Sequence, residues 1–188
     1  MSKASVNEVQ TPLRAQYKSS PEAALVTDHA RTTGGDPLDP FHATVEPMTG
    51  CGVTVPVGVH RAVGGPHDAP TPGDILCAAL ASCQDSAVRM VANLLGVELD
   101  FLEVEVTADV DVRGTMSMDM QVPVGFQAMR CDVRLRAKEG TGPEVLEKPT
   151  CPAGGAVSRE CGRSRGRSCR CSRDLRRAPL PRATRLAP

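Results

Sequence analysis

Residues Thr71–Gly96 constrain this chain more than any other segment. Thr71-Pro72-Gly73-Asp74 is a helix start. Thr71 can cap, Pro72 suits the first helical position, and Asp74 can complete a capping box. Ile75, Leu76, Ala79, Leu80, Cys83, Ala87, Met90, Val91, Leu94 and Leu95 then recur at helical period. Gly96 is a natural stop. A helix this long with a wide apolar stripe is expected to be the central core helix.

The flanking sequence reads as strands. Leu102–Val112 alternates with period two. So does Val122–Ala137, with Met129, Cys131, Val133 and Leu135 on one face and Arg130, Asp132, Arg134 and Arg136 on the other. The link is Arg113–Gln121. Upstream, Ala23–Arg31 is a candidate first strand, followed by a Gly/Pro/Asp-rich turn at Thr32–Pro40. His42–Val59 fits one or two strands broken at Met48–Gly52, and Gly64–Thr71 is a loop. A second helix is expected near Thr141, ended by Pro149 and Pro152. Strands, long helix, then strands define an α+β fold with antiparallel sheet.

Charge divides the chain unevenly. Ser158–Pro188 holds ten Arg, no Lys and two acids, a charge of +8, so the rest carries −8 against a total of +0. Residues 1–20 are read as a poorly ordered lead-in, 21–151 as the folded domain, and 152–188 as an Arg-rich irregular tail. An Arg-rich run can bind nucleic acid. A tail of Arg, Ser, Pro, Gly, Ala and Cys is also what a GC-rich gene yields in the wrong frame, and a frame change near Pro149–Ala153 is the reading adopted. Aromatic residues are only 2% of the chain, which disfavours a binder that stacks bases on rings. The opening MSKASVNEVQ is polar, without a signal-peptide pattern. No apolar run is expected to reach the ~20 residues that span a bilayer. The expectation is a cytoplasmic chain whose eight cysteines are thiols.

Three motifs together resemble the OsmC/Ohr family: APTPGDILCAALASCQDSAVRMVANLL at Ala69–Leu95, DVDVRG at Asp109–Gly114, and VGFQAMR at Val124–Arg130. The resemblance covers roughly Ala23–Cys151. It implies an intertwined homodimer, with antiparallel sheets wrapped around two central helices and a reactive thiol at the interface. It implies that Cys83 attacks an organic hydroperoxide and becomes a sulfenic acid. Cys151 resembles the resolving cysteine, and a dithiol would reduce the resulting disulfide. No cofactor, metal or membrane partner is implied.

Only a thiolate is nucleophilic. Cys83 lies about three turns into its helix, where the dipole helps little, so an Arg is required. In the family, an Arg from the early strands serves, held by a Glu at the start of the cysteine helix. That Glu position falls on Gly73, with Asp74 next to it. Arg31 lies nearest the family's Arg, with Arg14 and Lys18 as other candidates. The family implication thus rests on Cys83, Cys151, Arg31 and Asp74. A non-catalytic OsmC-like domain that binds a small hydrophobic or sulfur-containing ligand is the alternative.

Plainer roles stand beside these. Cys83 also reads as a small core thiol, Asp74 as a capping residue, and Cys77 and Cys131 as packing residues. His60, His67, Cys51 and Cys77 do not have zinc spacing. Met116, Met118 and Met120 alternate with Ser117 and Asp119. They read either as a substrate-facing wall or as a strand packed on a dimer mate.

Overall fold

The computed structural model describes residues 5–32 and 35–138, together with the backbone of 157–161 and 168–174. Helix α1 (Val6–Ser19) comes first, then strands β1 (Arg31–Thr32), β2 (His42–Glu46) and β3 (Val55–Gly58). Helix α2 (Pro72–Leu94) follows, then β4 (Leu99–Val110), the single turn α3 (Val112–Thr115), β5 (Phe126–Ala137), β6 (Val157–Cys161) and β7 (Ser168–Asp174). The strands form two antiparallel sheets, ordered β1-β2-β3 and β4-β5-β7-β6. This is the mixed helix and antiparallel-sheet architecture expected, with its long helix.

α2 begins and ends where its sequence dictates. Thr71 Oγ1 accepts from the Asp74 amide at 3.2 Å, and Asp74 Oδ2 accepts from the Thr71 amide at 2.9 Å. This reciprocal box satisfies donors that the first turn would otherwise leave unpaired. At the far end Gly96 turns left-handed, with φ 66°.

β4 and β5 pair over their whole length, Glu103 opposite Arg134 and Val104 opposite Val133. Leu102, Val104, Val106 and Ala108 share the less exposed face of β4, and α2 packs on this strand. On the other face Arg134 bridges Glu103 at 2.9 Å and Glu105 at 3.2 Å.

Several expectations are corrected. The lead-in contains α1, because its helix-favouring Glu, Gln, Leu, Arg, Ala and Lys outweigh Pro12, which removes one backbone donor. Nothing on α1 is buried. It touches α2 through the Val6 amide, which donates to Asn93 Oδ1 at 2.7 Å. The strand at Ala23–Arg31 shrinks to Arg31–Thr32, because Pro21–Ala24 winds into a 3-10 turn. The tail read as irregular contributes strands β6 and β7, the latter paired with β5. The helix expected near Thr141 lies outside the described residues.

α2 itself differs in two respects. Val88 is its one fully buried side chain, while Leu76, Leu80, Met90 and Leu94 remain exposed. A single sheet can cover only one side of a helix whose apolar stripe is this wide. By length and composition α2 is also apolar enough to cross a membrane. That corrects the expectation that no run reaches that length. No uninterrupted apolar run is that long, because α2 is diluted by small polar residues and an Asp85–Arg89 ion pair at 2.6 Å, but the helix as a whole is.

Candidate functional site

α2 carries Cys77 and Cys83, six residues and therefore about 120° apart around the axis. Cys83 is exposed, whereas Cys51, Cys77 and Cys131 are partly buried. Burial pushes the Cys77 thiol above its ordinary range, and the nearby Asp74 charge adds to the effect. Cys77 is thereby held in its protonated, unreactive form.

Asp74 is engaged in the helix cap. Its carboxylate accepts from the amide and, at 2.7 Å, from the hydroxyl of Thr71. The Thr71 amide bond, followed by the Thr71 hydroxyl bond, holds this carboxyl below the usual range. Gly73 precedes it. A Cβ built there would sit 3.5 Å from the Phe126 ring and from Thr71 Oγ1. That is ordinary contact, so a side chain could enter.

Arg31 is positioned from a direction that sequence reasoning missed. β1 and β2 place Arg31 directly opposite Glu46. Arg31 Nε donates to Glu46 Oε2 at 2.8 Å, and the Gly50 amide donates to Glu46 Oε1 at 2.8 Å. Glu46 is buried, and these two bonds, Arg31 first, hold its carboxyl below the usual range. The guanidinium is half exposed. Among the described residues no ion pair joins it to Asp74, and no hydrogen bond joins it to Cys83. The available signal was an Arg and a Glu on strands joined by a Gly/Pro-rich turn. Without the register, that pair is one of many.

The loop leading into α2 is tied to the first sheet. His42 Nδ1 lies 2.7 Å from Asp39 Oδ2, and its Nε2 lies 3.2 Å from Asp68. The bond to Asp39, then that to Asp68, raises the imidazole pKa. The Gly58 amide donates to the Pro70 carbonyl at 2.9 Å. His60 and His67 stack with ring centroids 4.3 Å apart. Among the described residues no group of three or more His, Cys, Asp and Glu could hold a metal. Cys151 lies outside the described residues.

Solved structures that resemble this chain include two hydroperoxide resistance proteins. One is an organic hydroperoxide resistance protein from Elizabethkingia anophelis, with crystallant-derived thiocyanate bound. It is 23% identical, with a TM-score of 0.38 over 46% of this chain and 59% of that one. This chain therefore spans less than two thirds of that protein's length. The other is an organic hydroperoxide resistance protein OsmC from Legionella pneumophila, 23% identical, with a TM-score of 0.43 over 67% of this chain and 80% of that one. No curated protein matches the sequence. Residues 65–150 match the family described as OsmC-like protein. That segment, which holds the helix cap, α2 and the β4–β5 hairpin, is where this chain is similar to the OsmC-like proteins.

Proposed function

We propose that this chain reduces organic hydroperoxides through Cys83. One observation carries the reading. Within the OsmC-like segment the exposed thiol on α2 is Cys83, while Cys77 and Cys131 are partly buried. The Cys83 sulfur attacks the terminal peroxide oxygen, the O–O bond breaks, and the alcohol leaves. The cysteine is oxidised to a sulfenic acid and the peroxide is reduced. The Cys151 thiol then displaces water to form a disulfide, which an external dithiol reduces.

Arg31, held by Glu46, is the cation assigned to Cys83 in this reading. Asp74 anchors the first turn of the cysteine helix. The working domain is residues 21–151. A second copy covers the exposed stripe of α2 and completes a cytoplasmic homodimer.

The test is intact-mass analysis of reduced protein after one equivalent of cumene hydroperoxide, beside Cys83→Ser. The wild type is expected to gain one oxygen or lose two hydrogens within seconds, and the variant to do neither. Slow and equal reaction of both would end the peroxidase reading. It would leave the second one, a non-catalytic domain that binds a small hydrophobic or sulfur-containing ligand. That alternative draws support from Gly73, which stands where the family's Glu is expected.

A further inference from the structure

Thr115–Gln121 reads TMSMDMQ and holds three of the chain's seven methionines. The alternation has strand period, but the chain turns instead. Ser117 is left-handed, with φ 56°. The amides of Met116, Ser117 and Met118 donate to the carbonyls of Val112, Gly114 and Arg113 at 2.9, 3.1 and 2.9 Å. Asp119 organises the second half. Its Oδ1 accepts from the Gln121 amide at 2.9 Å and its carbonyl from the Val122 amide at 3.1 Å. The neck is closed at Gly114, where a Cβ would lie 2.7 Å from the Val122 carbonyl and 2.8 Å from that of Pro123. Only glycine fits there.

The result is a closed, internally bonded loop bearing exposed thioethers. Met116 is 51% exposed, Met118 69% and Met120 85%. None of the three is a core residue. Apolar side chains held in water on a loop that is otherwise well bonded add little to folding.

We propose that Met116, Met118 and Met120 form a binding site for a soft monovalent cation of the Cu(I) class. Thioether sulfur is a soft, uncharged donor that selects Cu(I) over harder divalent ions. It binds without losing a proton. An extended strand would hold alternate Cα atoms ~6.8 Å apart. The turn at Ser117 breaks that extension, and flexible Met side chains can then converge. The closed neck orders the loop beforehand, which lowers the entropy cost of capture.

The test uses the full chain labelled with [methyl-13C]methionine and titrated with silver nitrate, Ag(I) being the air-stable soft analogue. The eight thiols take the first equivalents. The Met116, Met118 and Met120 methyl signals, assigned by single Met→Leu substitutions, should then move on one shared curve. They should saturate at one further equivalent, while Met48, outside this loop in sequence and 59% exposed, stays still. Each Met→Leu should weaken that step about tenfold. The substitutions are exposed and close in volume, so the fold should survive them. If Met48 moves with the loop methyls, if the three shift on independent curves, or if the Leu variants bind as well as the wild type, the site does not exist.

Discussion

Thr71 and Asp74 each satisfy the other's backbone at the first turn of α2. Thr71→Ala removes the acceptor for the Asp74 amide and the hydroxyl donor to its carboxylate. It should lower stability by about 1 kcal/mol, read from urea unfolding. Asp74 adds a pH dependence. Its folded pKa is lowered, so its contribution is present above the unfolded value of about 3.9 and is lost as pH falls through the folded value. In Asp74→Asn the acid limb of the stability profile should flatten at that end. Identical acid limbs for the two proteins would contradict this assignment. Glu46 belongs to the same scale. Glu46→Gln keeps the shape of the side chain but removes the charge that faces Arg31. If Glu46 positions the activating cation, the variant should react with hydroperoxide more slowly while Cys83 alkylation still goes to completion.

At the scale of elements, the loop before α2 is tied to β2 by His42, which bridges Asp39 and Asp68. The imidazole pKa is raised. The tie is therefore fully present below the unfolded value of about 6.5 and is lost as pH rises through the folded value. His42→Gln should melt lower than the wild type at pH 5.5, and the gap should narrow on the alkaline side. A gap independent of pH would mean that His42 acts by packing alone. Val88 is where α2 meets its own core. Val88→Ala should cost about 2 kcal/mol, against little for Leu76→Ala on the exposed stripe of the isolated chain. If a second copy covers that stripe, Leu76→Ala becomes costly as well, and its cost falls on dilution.

At the scale of the whole molecule, the exposed stripe of α2 sets the predicted assembly. With a chain mass of 19.8 kDa, light scattering should give about twice that for the wild type. Leu76→Glu with Leu80→Glu should return it to the monomer value. A wild-type monomer at high micromolar concentration would rule the dimer out. The tail carries the other whole-molecule prediction. We propose that the reading frame changes near Pro149–Ala153; a change before Cys151 makes that residue accidental and leaves the Cys83 sulfenic acid to be resolved by the external dithiol. The coding DNA should then hold an apolar helix-and-strand continuation in one of the other two frames, and its absence from both would reject the proposal.

Local physics made much of this protein legible from its sequence. The cap at Thr71–Asp74, the period of α2, the stop at Gly96 and the alternation of β4 and β5 all act within a few residues, so each leaves a pattern in the chain. The partnership of Arg31 with Glu46 joins residues fifteen positions apart. It depends on strand register, which no local pattern specifies. The same limit applied to Met116–Met120, whose strand-like alternation gave way to a turn because Gly114 packs against the Val122 and Pro123 carbonyls. It applied to α2 as well: periodicity announced a wide apolar face, but only the packed structure decided how much of that face one chain can cover. Hydrogen-bond geometry and side-chain period are properties of neighbours along the chain. Burial is a property of neighbours in space, and it was settled only when the strands and the helix came together.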